Sequence, residues 1–248
     1  MLHESVWQCE NPTQMKNPET DLAAHKSACA RVAARFRSRI LRSYVASKLR
    51  TDPAYPAVFQ LVHGSAQPLL DVGCGVGLVA FYLRERGFQN PITGLDRDGR
   101  KIRQAKAIAE TNYDGLDFRE GDVREKPLPF SGNIAILDLL HYLPPPDQQA
   151  LLLRLADGVA DGAVLVLRDC PRSSGGRFWL TYLAEKFAQL ISWNVAAPLY
   201  FPSSESINEN FPPNEFSREN HPLWGATPFN NHLFIFRRHA RATVPAWE

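Results

Sequence analysis

The stretch Leu69-Leu-Asp-Val-Gly-Cys-Gly-Val-Gly77 carries the densest chemical signal in the sequence. Gly73, Gly75 and Gly77 follow a G-x-G-x-G spacing, which lets a backbone turn tightly and approach a ligand where a Cβ would clash. A helix starting just beyond them presents free amides and the positive end of its dipole. Dinucleotide sites use the same device but space their glycines G-x-G-x-x-G. Asp71, two residues before the first glycine, adds a carboxylate, which suits a cationic ammonium and repels a pyrophosphate. An aminoacyl nucleoside with a positive amine is therefore the expected ligand. Asp96, in Gly94-Leu-Asp-Arg97, can accept both ribose hydroxyl protons, or else cap the helix after it. Asp122, in Glu120-Gly-Asp-Val123, can take the exocyclic amine of adenine while the Val123 amide donates to a ring nitrogen; alone it would be turn punctuation. Cys74, between the glycines, is expected to meet the ligand through its backbone only.

These acids need elements that bring them to one edge. Short apolar runs at 68–72, 92–96, 116–119, 134–139 and 162–167 read as strands, separated by helical patterns at 78–86, 99–110 and 147–159. Strands alternating with helices imply βαβ units and a parallel, doubly wound sheet. Upstream, Val32, Phe36, Ile40 and Tyr44 recur every four residues, with Leu41, Val45 and Leu49 widening the face. They predict one helix from about residue 21, closed by Pro53 and Pro56. Downstream, 178–193 is an aromatic-rich helix, 194–213 a proline-rich loop of lid length, and 232–238 a last strand. Residues 1–20 read as a loose tail, 21–60 as a helical cap, and 64–240 as the ligand-binding domain, with 171–213 supplying a substrate-side helix and lid.

On these segments the chain resembles the class I S-adenosylmethionine (SAM)-dependent methyltransferases. LLDVGCGVG is similar to the family's first motif, GLDRD to its second, GDV to its third, IAILDLLHYLPP to its fourth and DGAVLVLRD to its fifth. The third segment, LDFREGDV, is shorter than the family pattern. The resemblance implies a Rossmann-like, doubly wound α/β sheet of seven strands with the last antiparallel, a role that HLFIFRR fits. It implies SAM as cofactor, held by Asp71, Gly73, Cys74, Gly75, Gly77, Asp96, Arg97, Asp122, Val123, Asp138 and Leu139, with Tyr44 closing over it. FYLRERGF, LDLLHYLP and WGATPFNNHLFIF are further similar to methyltransferases of aryl polyene (xanthomonadin-like) pigment clusters, which implies an aromatic hydroxyl as acceptor.

Methyl transfer from a sulfonium is an in-line displacement, so alignment is the main requirement. A phenol acceptor is helped by a base. The crevice of such a fold lies beyond the carboxyl ends of the strands, at the switch between the first and fourth, so Asp138, Leu139, Leu140, His141 and Tyr142 should face it. His141 is the candidate general base, with Tyr142 beside it; equally, His141 can pack beneath the methionine portion. Asp138 would border the sulfonium or the amino acid portion. Arg168 and Asp169 can anchor a substrate carboxylate or pair with each other. The place where amino-methylating nucleic-acid enzymes carry an Asn/Asp-Pro-Pro-aromatic turn reads Asp138-Leu-Leu-His141, which favours a small-molecule acceptor. Aromatics between 178 and 236 can line an aryl pocket or form plain core.

Composition sets the outer bounds. The chain has 248 residues, 28 Lys and Arg against 26 Asp and Glu, and a net charge of +2, a balance that argues against a phosphate-backbone binder. The four cysteines show no CxxC spacing, so neither a metal site nor a disulfide framework is expected. No membrane-length apolar run or secretory leader is evident, and a cytoplasmic protein is expected. Arg31, Arg35, Arg39 and Arg42 form a stripe at helical spacing. It is a solvated face, or a dock for an acidic carrier protein holding the substrate, or a membrane-surface contact.

Overall fold

The computed structural model describes residues 18–125, 129–173, 175–190, 198–225 and 228–240. Three helices lead: α1 (Pro18–Ala34), α2 (Arg39–Thr51) and α3 (Ala54–Val62). An alternating series follows: β1 (Leu69–Val72), α4 (Leu78–Glu85), β2 (Ile92–Asp96), α5 (Gly99–Asn112), β3 (Leu116–Glu120), β4 (Asn133–Leu137), a single 3₁₀ turn at Leu140–Tyr142, α6 (Pro145–Gly158) and β5 (Val164–Asp169). The chain closes with α7 (Gly176–Leu190), α8 (Ser204–Asn208), β6 (Phe216–Pro222) and β7 (His232–Arg238).

The strands form one seven-stranded sheet in the order β3-β2-β1-β4-β5-β7-β6. The first five are parallel, and β7 runs antiparallel to both β5 and β6. This is the doubly wound, Rossmann-like class. The order reverses between β1 and β4, so their carboxyl ends flank the ligand crevice of such a sheet.

The period of two along each strand divides the core between the faces. Val164, Val166 and Ile235 pack with α1 to α5, while Leu165, Leu167, Phe234 and Phe236 pack with α6 and α8. Phe211 stacks on Phe236 at 3.7 Å between ring centroids and pins the segment after α8 to the sheet.

The leading helix expected from residue 21 is two helices. The chain breaks at 35–38, where the Ser38 hydroxyl accepts the Leu41 amide and caps α2. The four-residue stripe is accordingly not one buried face: Val32 and Phe36 are buried, whereas Ile40 and Tyr44 are exposed. The helix does stop before Pro53 and Pro56, at Thr51, but the same prolines then open α3, since the first helical turn has no intrahelical use for the missing amide. Residues 18–20, assigned by sequence to a tail, are the first turn of α1, and the rest of that tail lies outside the described residues.

Two differences concern the last third. The sequence carries no strand signal over Phe216–Pro222, because beyond the buried Phe216 this edge strand is polar, with Ser217, Arg218 and Asn220 exposed. The expected lid loop contains α8, which opens on a Ser203–Ser206 capping box, and it buries Phe201, Ile207 and Phe211. Residues 194–197 of that loop, and Trp193, lie outside the described residues.

Candidate active site

The glycine loop leaves β1 with Gly73, Gly75 and Gly77 all at positive φ (+77°, +56° and +83°). Two of them are also crowded by their surroundings, Gly77 the more severely. A Cβ on Gly73 would lie 3.2 Å from Leu139, and one on Gly77 would lie 2.7 Å from the Phe118 ring. A Cβ on Gly75 would meet nothing within 4 Å, so this residue borders open space. The loop is tied to β2: the Gly75 amide donates to Asp96 Oδ2 at 2.8 Å, while Asp96 Oδ1 accepts the Asp98 amide at 2.8 Å. The helix cap considered for Asp96 belongs instead to Asp98, whose carboxylate accepts the Arg100 amide.

Asp71 is buried in β1, and its Oδ2 has no hydrogen-bond partner among the described residues. Burial, reinforced by the nearby Asp96, raises its carboxyl to about 7. A buried carboxylate lacking a partner is costly, and an ammonium group supplies what it lacks. The residues therefore fit the amine of an amino acid ligand. Asp122 is engaged differently. It accepts the Arg124 amide at 2.9 Å and pairs with the Arg124 guanidinium, which pulls its carboxyl down despite partial burial. To receive an adenine amine it must share that guanidinium. Val123 is buried and its carbonyl accepts from Arg154 at 2.6 Å, while Arg97 is exposed. Cys74 is buried with its sulfur against Gly94, and burial followed by Asp71 and Asp96 raises its thiol well above the ordinary value.

Past β4 the backbone turns at Asp138, a non-glycine residue with φ +55°. The Asp138 carboxylate is paired with Arg168 Nη2, and the same guanidinium donates from Nη1 to both oxygens of Asp52 at 2.6 Å. Lys48 completes the array, 3.3 Å from Asp52. Burial pushes the Asp52 carboxyl up, but Arg168 and Lys48 outweigh it and hold it at about 2. Tyr44, from the same helix as Lys48, is partly exposed nearby. Asp52 joins α2 to α3 and lies 116 residues from Arg168, so nothing local in the sequence signals the pair.

The neighbouring residue of β5 points to the other face and makes the second array. Asp169 is wholly buried, with Oδ1 2.8 Å from His141 Nδ1 and Oδ2 accepting the Leu140 amide at 3.0 Å. Arg168 and Asp169 thus have separate partners. A carboxylate only accepts, so Nδ1 carries the proton that faces Asp169. The His141 ring is buried, stacked on Phe201 at 5.3 Å and tilted against Tyr142 at 4.2 Å. Gln148 donates to the carbonyls of Leu140, Leu143 and Tyr200, which fastens the 3₁₀ turn to the segment after α7. Asp169 and Gln148 were not assigned these roles from sequence; the i to i+28 separation of the histidine and its acid hides the first.

The aromatics expected around a pocket divide. Phe178, Phe201, Phe211 and Phe216 are core, Trp179 and Trp224 are exposed, and Tyr182 packs at the edge of the Phe178–Phe201 cluster. Of the basic stripe, Arg31 and Arg35 pair with Glu85 of α4 and Arg42 donates to the Phe36 carbonyl, leaving Arg39 on the surface.

Comparison with known proteins agrees with this architecture. Residues 69–162 match the family model of a methyltransferase domain. Over 146 residues the chain is 27% identical to a demethylmenaquinone methyltransferase of Deinococcus radiodurans, covering 56% of this chain and 61% of that one. Over 120 residues it is 30% identical to a trans-aconitate 2-methyltransferase of Mycobacterium tuberculosis, covering 48% and 43%. The chain thus spans less than two thirds of these relatives. The magnesium protoporphyrin IX methyltransferase of Synechocystis PCC 6803, solved with bound S-adenosylhomocysteine, has a similar fold (TM-score 0.59, 18% identity, 88% of this chain and 99% of that one). The matched segment, residues 69–162, spans β1 to the turn before β5 and so includes the glycine loop, Asp96, Asp122 and His141.

Proposed function

We propose that this chain transfers the methyl group of SAM to a small-molecule acceptor, and that the acceptor atom is a hydroxyl of an aromatic or aryl-polyene compound, either free or carried on an acidic carrier protein. The observation behind the donor is the buried Asp71 oxygen, partnerless among the described residues, on the strand that runs into three positive-φ glycines. Asp71 would take the donor's ammonium, the glycine loop its carboxylate end, Asp96 and Arg97 the ribose side, and Asp122 with Val123 the adenine. Asp138, Leu139 and Tyr44 would border the methionine portion.

When bound, SAM supplies an electrophilic methyl on a sulfonium whose departure needs no proton. What is left to this chain is to orient the acceptor and accept its proton. The His141–Asp169 pair suits that role. Asp169 fixes the tautomer and stabilises the imidazolium that results, and His141 Nε2 takes the hydroxyl proton. The ring's burial favours the same side chain as a packing residue, so the two roles must be separated by kinetics.

Calorimetric titration with SAM and, separately, NADH tests the donor; SAM binding with no NADH binding is expected, and the reverse would make the chain a reductase. Incubating labelled SAM with an extract and identifying the labelled product by mass spectrometry tests the acceptor. Binding without transfer to any acceptor would make it a silent, regulatory relative.

A further inference from the structure

Two separate attachments hold the leading helices. α1 is fixed to α4 by Arg31 and Arg35 on Glu85 and by Arg86 on Asp21. α2 and α3 are fixed to the end of the sheet by Asp52 on Arg168. Between the two attachments the backbone leaves helical structure at 35–38, a stretch that carries exposed Arg35 and Arg37 and runs into exposed Arg39.

Arg168 is buried and forks: Nη1 serves Asp52 at the α2–α3 junction, and Nη2 serves Asp138 at the end of β4. Asp138 holds a left-handed conformation that non-glycine residues rarely adopt. Leu139, next to it, is the side chain that packs over Gly73, the first residue of the glycine loop. A continuous line of contacts therefore runs from the junction, through Asp52, Arg168, Asp138 and Leu139, to the loop. A planar guanidinium serves two carboxylates on different elements from two nitrogens in a fixed fork, which the single nitrogen of an ammonium cannot reproduce.

We infer that Arg168 is a positioning residue that couples the α2–α3 segment to the donor loop, so that occupancy of the donor site and the seating of these helices stabilise each other. The inference rests on the methyltransferase reading. Coupling of this kind is reciprocal: whatever the donor does for the helices, the helices do for donor affinity. Among the described residues Asp52 makes no hydrogen bond or ion pair with the glycine loop, so an effect of Asp52 on donor binding would have to travel through the fork.

The test is trypsin cleavage between residues 35 and 39, followed by mass spectrometry with and without S-adenosylhomocysteine, alongside calorimetry of the same ligand. In the unaltered chain the ligand should slow cleavage by about fivefold or more. Asp52→Asn, which severs the junction side alone, and Arg168→Lys, which keeps the charge but loses the fork, should each reduce that protection to within about twofold and weaken ligand binding about fivefold. If Arg168→Lys does not fold, Asp52→Asn decides. Binding and protection unchanged in Asp52→Asn, even with a lowered melting temperature, would make the array a structural tie and overturn the inference alone. An unaltered chain that binds no S-adenosylhomocysteine removes the methyltransferase reading and this inference with it.

Discussion

A carboxylate closed in beneath the glycine loop makes Asp71 a group that changes charge near neutral pH. Its folded value of about 7 exceeds the ordinary carboxylate value of 3.8, so the folded chain holds this proton where the unfolded chain has released it. The contribution of Asp71 to stability is therefore greatest in acid and falls as pH rises from the unfolded value to the folded one. At about 1.4 kcal/mol per pH unit, the penalty on the empty site reaches roughly 4 kcal/mol above neutrality. Asp71→Asn should flatten that slope and raise the melting temperature at alkaline pH, as a pH series of thermal melts would show. An ammonium beside the ionised form reverses the shift, so donor binding near neutral pH should release a proton. Calorimetry in buffers of different ionisation heat reads that release, and Asp71→Asn should abolish it. For His141→Ala and Asp169→Asn the expected loss is in kcat, about a hundredfold or more, with donor affinity within about threefold. Equal turnover would leave the histidine a packing residue. The glycines and the three acids were legible because each belongs to a short stretch around a strand end. Arg168–Asp52 and His141–Asp169 were not, because spacing along a chain says nothing about pairs closed by tertiary folding.

Among the elements, the turn from β1 into α4 is the least tolerant of change. Gly77 caps α4 in a left-handed conformation and faces the Phe118 ring of β3. Gly77→Ala meets both obstacles, and a loss of about 2–4 kcal/mol in urea unfolding is expected. Ser38→Ala removes the cap of α2 and should cost about 1 kcal/mol. The strands of the parallel half were readable from continuous apolar runs, as in Leu69–Val72 and Val164–Asp169, since both their faces are covered. The edge strand Phe216–Pro222 presents alternate residues to solvent and resembles a polar loop. The division of the first helical region into three elements was hidden for another reason. Ala33 to Leu41 continues a helical apolar pattern, and the break depends on one serine cap and on Phe36 turning inward.

On the scale of the molecule, the leading helices are not an appendage. Ala28, Val32, Phe36, Val45, Leu49 and Val58 share one buried cluster with Leu69, Phe81, Val166 and Ile235 of the sheet and α4. A cap boundary near residue 60, drawn from the change in pattern, runs through this cluster. Urea unfolding should accordingly give one transition, coincident by circular dichroism and by tryptophan fluorescence. Two transitions would mean that the helices melt on their own. The parallel sheet, its switch between the first and fourth strands and the antiparallel last strand were anticipated from family likeness and from β–α alternation, because a right-handed crossover leaves few other arrangements.

The position of Cys74 has a consequence for the lifetime of such a catalyst. Sulfur anions are the strongest nucleophiles that proteins possess, and one beside an alkylating reagent would be consumed by it. Here the thiol is turned into the strand layer against Gly94 and kept neutral by burial and by the anions around it. If the cleft holds SAM as proposed, the same negative surroundings that would attract its cation also keep this thiol protonated and a poor competitor for the methyl.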